Sequence, residues 1–490
     1  MDGTSADSCS SPNTPQSRLE TIQALLLLFA VGLWGAKAIL HEALSLQSLL
    51  ALLLREEGLV AEANQQTTDW ETWVRLEAST RTKLVAYCFL NLCSIAYNTP
   101  PMLLTSEVHL YLPNPSRLWK AENAWQWQEA RQSCPNNEVS LQEAFARLLN
   151  RSAQTPATTP LTSLGNYILI HAVIQHIFLL KQTSLSSMTP FGVQRGLKAD
   201  DMEDINQALR GWSLSFEQHR QQRTTESGGG EGYAEGAVAF NSTALLRLAY
   251  IRLHTDLSAS RGLETRDHVL IARAFCDAPL LARSPRLCRA VVQAIHALAM
   301  LVKLGVNYVA KTKSLEWSMQ HSRESPCNLT RERGVKLTWC FVVCNLECAV
   351  LLSKWLLTLS AIGPNEPPPS AEERNLLEMV RRMLDETEFA VPIDPSLASS
   401  SSSGGGHHHR QSSSSTRSTA ATAGEASATD PVKLRQLACA VIRLWAETFK
   451  GAHIFEIVRI IAAGLEGYAD IMEKPRDRTP LGRLSGQGLG

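Results

Sequence analysis

Apolar positions recur at helical spacing over most of this chain. Residues 24–34 form an uncharged run of 11, ALLLLFAVGLW, and residues 36–54 continue with leucines in a helical recurrence. Side chains three and four positions apart share one helix face, so the pattern predicts a helical hairpin instead of strands. A bilayer span needs about 20 residues, so the uncharged run is interpreted as a buried core helix and no membrane contact is expected.

The same period predicts helices along the rest of the chain. It recurs at 69–101, 163–180, 371–386 and 434–472. Pro100-Pro101 is expected to stop the helical stretch before it, because proline lacks the backbone N–H and pushes the preceding residue out of the helical region. The predicted fold class is therefore all-α, with one large multi-helix domain.

Low-complexity segments divide the chain. Ser396–Thr429 holds mostly Ser, Gly, Ala and Thr with three adjacent histidines, and it lacks the apolar side chains that offset the entropy of ordering. We therefore predict a disordered N-terminal tail at 1–18, a helical domain at 19–390, a Ser/Gly/His-rich disordered insertion at 391–431, C-terminal helices at 432–474 that pack back on the domain, and a disordered tail at 475–490.

Charge and cysteine content narrow the functional classes. The chain carries 47 basic and 47 acidic side chains, so there is no excess positive field to hold DNA. No two of the 11 cysteines have the Cys-x-x-Cys spacing, which with the odd count favours a reducing intracellular compartment. Cys340, Cys344 and Cys348 would align on one helix face, and without a histidine in that run they are interpreted as a buried apolar stripe instead of a metal site.

Several successive sequence blocks resemble a known family. They are DWETWVRLEASTRTKLVAYCFLNLCSIAYNTPP at 69–101, the tryptophan-rich stretch after it, SLGNYILIHAVIQHIFLL at 163–180 and FNSTALLRLAYIRL at 240–253. These blocks resemble the fungal-specific transcription factor domain, the helical regulatory region of fungal zinc-finger transcription factors. The resemblance runs with gaps from about residue 19 to 360 and resumes near 432.

The resemblance implies signature residues with a structural role, and no catalytic, cofactor or metal residue. Trp70 and Trp73 are interpreted as core anchors, with an aromatic cage as the alternative. Arg247 and Arg252 lie in an otherwise apolar helix, so each is expected to pair with a carboxylate or a helix C-terminus. The signature residues are Trp70, Trp73, Glu77, Arg81, Pro100, Pro101, Glu107, Leu112, Pro113, Trp119, Arg247 and Arg252, and the same pattern includes Asn91, Tyr97 and Trp127.

Fungal regulators of this kind recognise DNA through a zinc-binding module. The cysteines and histidines of this chain do not have the spacing of such a module. Tetrahedral zinc needs two Cys about two to four residues apart with a His pair downstream, or a cluster of closely spaced Cys. The resemblance therefore implies a nuclear RNA polymerase II regulator that contacts DNA only through a missing zinc module. No cofactor is expected in this chain, and zinc enters only if a finger module has been lost from the gene prediction.

The implied partners follow from the same resemblance. They are a second copy or a related regulator in a homo- or heterodimer, the transcription machinery, and a small-molecule effector. An effector would bind in a cleft between helices and shift a conformational population.

Residues 323–343 interrupt the resemblance. In that family, segments like WSMQHS at 317–322 and CNLECA at 344–349 run almost directly into each other, and removing the residues between them would restore one helix. Our hypothesis is a retained intron translated in frame, which predicts a loop at 323–343.

Two other functional classes stay open. A helical interaction protein that modulates related regulators without contacting DNA would have the same sequence features.

An enzyme is not expected, because no phosphate loop or nucleophile elbow is present and His41-Glu42 is followed by Ser45 where a zincin needs histidine. His171 and His176 do not have the spacing of a zinc-binding pair and are interpreted as core or surface histidines.

Overall fold

Helices make up most of the described part of the chain. The computed structural model describes residues 14–61, 69–134, 139–150, 161–185, 197–226, 236–255, 262–306, 339–391, 430–450 and 455–474. Its helices are α1 (Pro15–Gly32), α2 (Lys37–Glu56), α3 (Trp70–Tyr97), α4 (Ser116–Trp119), α5 (Ala124–Ser133), α6 (Leu141–Leu149), α7 (Ser163–Leu185), α8 (Ala199–Glu226), α9 (Gly236–His254), α10 (His268–Asp277), α11 (Pro285–Leu304), α12 (Trp339–Ser360), α13 (Ala371–Asp385), α14 (Pro431–Thr448) and α15 (Glu456–Glu473). Within those ranges, strand pairing is limited to two isolated bridges. The predicted all-α fold is confirmed.

Capping side chains start several of the helices. At α3 the Asp69 carboxylate accepts the Thr72 N–H, and at α13 Ser370 and Glu373 form a reciprocal capping box. At α1 the Thr14 hydroxyl accepts the Ser17 N–H and a proline occupies the first turn. Because of that cap, residues 15–18 are helical and do not belong to the predicted disordered tail.

The end of α3 is set by an asparagine and not by the proline pair. Asn98 adopts the left-handed conformation, with φ 53°, directly after Tyr97. Asparagine tolerates this conformation because its short side chain can bond locally. Pro100 and Pro101, which were expected to stop the helix, lie beyond its actual end and begin the segment that leads to α4.

A single large hydrophobic core joins α1–α3 to most of the later helices. Its centre is α12, which lies against α9, α11 and α14. In the most apolar part of α12, residues 342–360, 94% of the residues are buried, as expected for a helix that is apolar on all sides. The C-terminal helices dock here, since α14 packs on α12, and α15 packs on α14 and α10.

A second, smaller core lies at the start of α3. Leu118, Ala121, Trp127 and Ala130 are buried in it, and Trp70, Trp73 and Cys134 pack against them. We call these seven residues the tryptophan cluster. It joins α3 to α4 and α5, and the structure separates it from the large core.

Four of the described helical segments are long and apolar enough to cross a membrane, by length and composition only. The segment in α12 is the most buried of them and Lys37–Glu56 of α2 is the least, at 33%. Packing against neighbouring helices accounts for the apolar composition of α12. The expectation that the chain does not contact a membrane stays a prediction.

The predicted insertion at 323–343 falls mostly outside the described residues, which resume at Trp339. Residues 339–343 form the first turn of α12 and not the predicted loop, because Val342 and Val343 are buried against the core. Most of the predicted insertion at 391–431, the tail at 475–490 and residues 1–13 of the other tail also lie outside the described ranges.

Candidate functional site

Trp73 and Trp127 form the centre of the tryptophan cluster. Their ring centroids are 5.6 Å apart, and the Arg131 guanidinium carbon lies 5.0 Å from the Trp127 centroid. Trp127 is only 2% exposed, and within the described residues its indole N–H and that of Trp70 are buried without a hydrogen-bond partner. The indoles therefore act as packing groups between α3 and α5, which is the core-anchor interpretation.

Glu77 holds the segment before α4, residues 112–114, in place. It is 5% exposed, and its carboxylate accepts hydrogen bonds from Arg81 Nε at 2.7 Å, Asn114 N at 3.0 Å and Asn114 Nδ2 at 2.9 Å. Arg81 also donates to the Asn114 carbonyl at 2.8 Å and stacks 4.6 Å from the Trp119 centroid. These contacts hold the segment Leu112-Pro113-Asn114 against α3. Five signature residues therefore serve one structural role: Glu77, Arg81, Leu112, Pro113 and Trp119.

Glu107 holds a different turn. Arg55 Nε and Nη2 donate to its two carboxylate oxygens at 2.6 and 3.0 Å, and Leu104 N donates at 2.9 Å. Arg55 Nη2 also donates to the Met102 carbonyl at 2.7 Å. The pKa of Glu107 is lowered because Arg55 stabilises the ionised form. This pair ties the segment after Pro101 to the end of α2.

A buried polar network links α3 to α7, and sequence reasoning missed its central residue. Gln175 accepts from Thr105 N at 2.7 Å and from Thr105 Oγ1 at 2.8 Å, and donates to Asn91 Oδ1 at 2.7 Å and to the Leu103 carbonyl at 2.9 Å. Tyr87 OH lies 2.7 Å from Thr105 Oγ1. The available signal was a single amide within the apolar run YILIHAVIQHIFLL, because a buried polar side chain requires partners.

His171, one helix turn before Gln175, is fully buried. Its ring meets Tyr167 edge-on at 4.7 Å, and in the described part of the chain neither ring nitrogen has a hydrogen-bond partner. Burial lowers the pKa of His171 to about 3, so the ring is neutral at pH 7. His176 packs against Phe145 with ring centroids 5.6 Å apart. Both histidines serve packing here.

Arg252 cross-links three helices. Its Nη2 donates to Glu347 Oε1 of α12 at 2.6 Å and to the Ile95 carbonyl in the last turn of α3 at 2.7 Å. The expected pairing with a carboxylate and a helix C-terminus is therefore found at Arg252. Arg247 differs, because in the described residues its Nη2 contacts Met300 Sδ at 3.0 Å and no carboxylate. Arg247 is half-buried, so its guanidinium does not need the carboxylate partner that a fully buried one requires.

Arg266 is a second cross-link, which nothing in the sequence marked. Its backbone is left-handed, with φ 54°, and its guanidinium donates to the Leu33 and Gly35 carbonyls at 3.0 and 3.1 Å. It also donates to Tyr97 OH at 2.8 Å, and Tyr97 OH donates to the Leu33 carbonyl at 2.6 Å. The turn between α1 and α2, the end of α3 and the start of α10 are thereby joined.

The cysteines of α12 lie in the core. Cys344 and Cys348 are buried, and the Cys344 thiol donates to the Ala244 carbonyl at 2.9 Å. Burial raises the pKa of Cys348 to about 12, so it stays a thiol. The Cys340 side chain lies outside the described residues. Within the described ranges, no group of three or more His, Cys, Asp or Glu side chains is placed to hold a metal ion.

Most of the signature residues in the described ranges thus bond to another helix or segment or pack in a core, whereas Pro100 is exposed. Two family models match the chain: the fungal specific transcription factor domain over residues 2–213 and the fungal transcription factor C-terminal domain over residues 256–467. No zinc-finger domain is detected. No curated protein and no solved structure matches. The chain belongs to the fungal specific transcription factor family, and its two domains support a role in transcription regulation.

The matches refine the extent of the resemblance. The first matched region begins at residue 2, before the predicted start near 19, and the second runs from 256 to 467, so it also includes the predicted gap between 360 and 432. The block FNSTALLRLAYIRL at 240–253 lies between the two matched regions and belongs to neither. Arg252, in that gap, bonds to a residue of each region, so the gap sequence joins the two domains.

Proposed function

We propose that this chain supplies the regulatory region of a zinc-finger-type RNA polymerase II transcription factor in the nucleus. The observation that carries the proposal is the succession of two fungal transcription factor domains that share one hydrophobic core. The balanced charge of the chain gives it no general attraction to phosphate, so DNA recognition is assigned to a zinc module outside these residues. Dimerisation, contact with the transcription machinery and effector binding are the tasks proposed for the helical region.

A recruitment assay tests this proposal. The full chain is fused to a heterologous DNA-binding domain in a fungal reporter strain, with the DNA-binding domain alone as control. We expect reporter transcription to change in either direction relative to that control. An unchanged reporter, with the fusion shown to be folded and nuclear, would contradict the proposal.

A binding assay tests the assignment of DNA recognition. The unfused chain is titrated with random-sequence DNA and with a library of fungal promoter fragments at physiological salt. We expect no specific binding, because specific sites are normally bound with nanomolar or tighter affinity through dedicated base contacts. Binding of a specific DNA sequence with nanomolar affinity would show that this chain itself recognises DNA.

A second candidate function is that of a non-catalytic interaction protein, which modulates related regulators without contacting DNA. The observation that favours it is an exposed apolar stripe on α1, where Leu27, Leu28 and Val31 are 55%, 61% and 61% exposed. It is distinguished by co-expression with a full-length related regulator. Modulation of that regulator's reporter by the chain, without any effect in the recruitment assay, would favour this candidate.

A further inference from the structure

A cleft with a volume of about 560 Å³ opens between α8, α9 and α11. Met202 and Asn206 of α8 line it, together with His254, the last residue of α9, and Arg286 and Arg289 of α11. Binding sites for small molecules typically have volumes of about 300–1,000 Å³ and combine apolar walls with a few polar groups. The cleft therefore has the size of a small-molecule site, and six of its nine described lining residues are polar or charged, which favours a charged ligand.

The cleft carries positive charge that the described residues do not neutralise. Arg286 and Arg289 are three positions apart on one helix face, and among the described residues neither meets a carboxylate. Arg286 Nη1 instead contacts Met202 Sδ at 3.3 Å. Glu203 is the single carboxylate among the described lining residues, and it already pairs with Arg210 at 2.7 Å. Two guanidinium groups are thus available to an anion.

His254 adds hydrogen-bonding capacity that the protein leaves unused. Both of its ring nitrogens are buried, and neither has a partner among the described residues. Burial and the neighbouring Arg289, Arg286 and Lys181 lower the pKa of His254 to about 4, so the ring is neutral at pH 7. A neutral imidazole offers one N–H donor and one acceptor, and leaving both unpaired costs free energy that a ligand oxygen or hydroxyl would recover.

We propose that this cleft binds a small organic anion, a carboxylate or a phosphate monoester, whose charged end is held by Arg286 and Arg289. The guanidinium groups match the planar or tetrahedral oxygen arrangement of such an anion. Because both ring nitrogens are buried in the absence of a ligand, His254 hydrogen-bonds to the ligand after a rotation of its side chain, and Met202 contacts the apolar body of the ligand. The proposal rests on the effector binding proposed above and names its site and ligand class, and because calorimetry measures binding alone, its outcome is separate from that of the recruitment assay.

Titration calorimetry on the full chain tests the proposal with three probes: phenyl phosphate, benzoate and the neutral phenol. We expect saturable binding of at least one anion, with phenol at least tenfold weaker. Phenyl phosphate and benzoate distinguish the two anion classes. The absence of saturable binding of either anion at millimolar concentration would overturn the proposal, as would equal binding of phenol.

Variants locate the site. Arg286 and Arg289 are exposed, so Arg286→Gln and Arg289→Gln preserve the fold, and each is expected to weaken anion binding about tenfold through loss of a charge-assisted hydrogen bond. Arg459→Gln, at an exposed position of α15, is the matched control and should leave the affinity unchanged. Anion binding that persists unchanged in the double variant R286Q/R289Q would overturn the proposal. Circular dichroism verifies that each variant is folded.

Discussion

The large core around α12 and the tryptophan cluster stabilise the molecule in different ways. The core consists of apolar helix faces packed around α12, and its buried charges are hydrogen-bonded, as in Arg252 with Glu347 and Lys354 with the Cys276 and Ala278 carbonyls. The cluster consists of a few indoles, and its hydrogen-bonded neighbour Glu77 fixes the adjoining turn. The family resemblance is most evident at the cluster, whereas most of the buried surface lies in the core. The signature residues thus lie where α4 and α5 are attached to α3, whereas leucines, valines and alanines that match no motif form most of the large core.

The largest predicted effect tests the core. Trp445→Ala removes a fully buried indole of α14 that packs toward α12 and donates to Asn345 Oδ1 at 3.3 Å. We expect a loss of about 3–5 kcal/mol in the free energy of unfolding, from the cavity and the loss of the hydrogen bond to Asn345. Urea unfolding followed by circular dichroism measures it. Trp125→Ala, at a side chain that is 70% exposed in α5, is the control, with an expected loss below about 0.5 kcal/mol.

The second effect tests the buried ion pair of the core. Glu347→Ala leaves the Arg252 guanidinium buried without its carboxylate, and we expect a loss of about 3–4 kcal/mol. Glu378→Ala removes the carboxylate from the exposed pair with Arg382 and should cost at most about 0.5 kcal/mol. The double variant R252M/E347L should recover much of the loss. A single variant as stable as the native chain would show that the pair is dispensable.

A smaller effect is expected at the turn beside the cluster. Glu77→Ala leaves Arg81 and Asn114 without their shared acceptor, and we expect a local loss of about 2 kcal/mol. Hydrogen exchange followed by mass spectrometry should show faster exchange at 112–134 while α12 keeps its protection. Glu143→Ala, which breaks the exposed pair with Arg147, is the control. Equal loss of protection in α12 would mean that the two regions unfold as one unit.

The smallest effect depends on pH and belongs to the core. The folded pKa of His171 is lowered from 6.5 to about 3 by burial, so between these values the unfolded chain binds more protons. The stability contributed by the neutral ring is fully present above pH 6.5 and falls as the pH decreases through this window. His171→Leu should therefore flatten the decline in unfolding free energy between pH 6.5 and 4.5, as measured by urea unfolding. His41→Leu, at an exposed position of α2, should leave the decline unchanged.

The sequence predicted helices better than it predicted contacts. Apolar spacing located α2, α7, α13 and the C-terminal pair, because periodicity depends on residues three or four apart. The partners of the signature residues are far away in sequence. Glu77 bonds to a residue 37 positions on, Asn91 to one 84 positions on, and Arg252 to one 95 positions on. No local rule reaches these distances, so Asn114, Gln175 and Glu347 could not be identified as partners.

Errors at the helix ends have a similar cause. The start of α1 at Pro15, capped by Thr14, lies inside the predicted disordered tail, and the end of α3 depends on the left-handed Asn98 and not on the proline pair after it. Arg247 and Arg252 looked equivalent in one apolar helix. Only the packing of neighbouring helices places Arg252 against Glu347 and leaves Arg247 beside a methionine.

By itself, the amino-acid sequence determined the all-α class, the approximate helices and the resemblance to the family, because these depend on local periodicity and on the order of recognisable blocks. Tertiary structure alone decided which helix is central, which buried polar groups find partners and where a charged cleft opens. The physical reason is that burial and pairing depend on which distant side chains meet when the helices pack, and their free energies exceed the local preferences of any single segment.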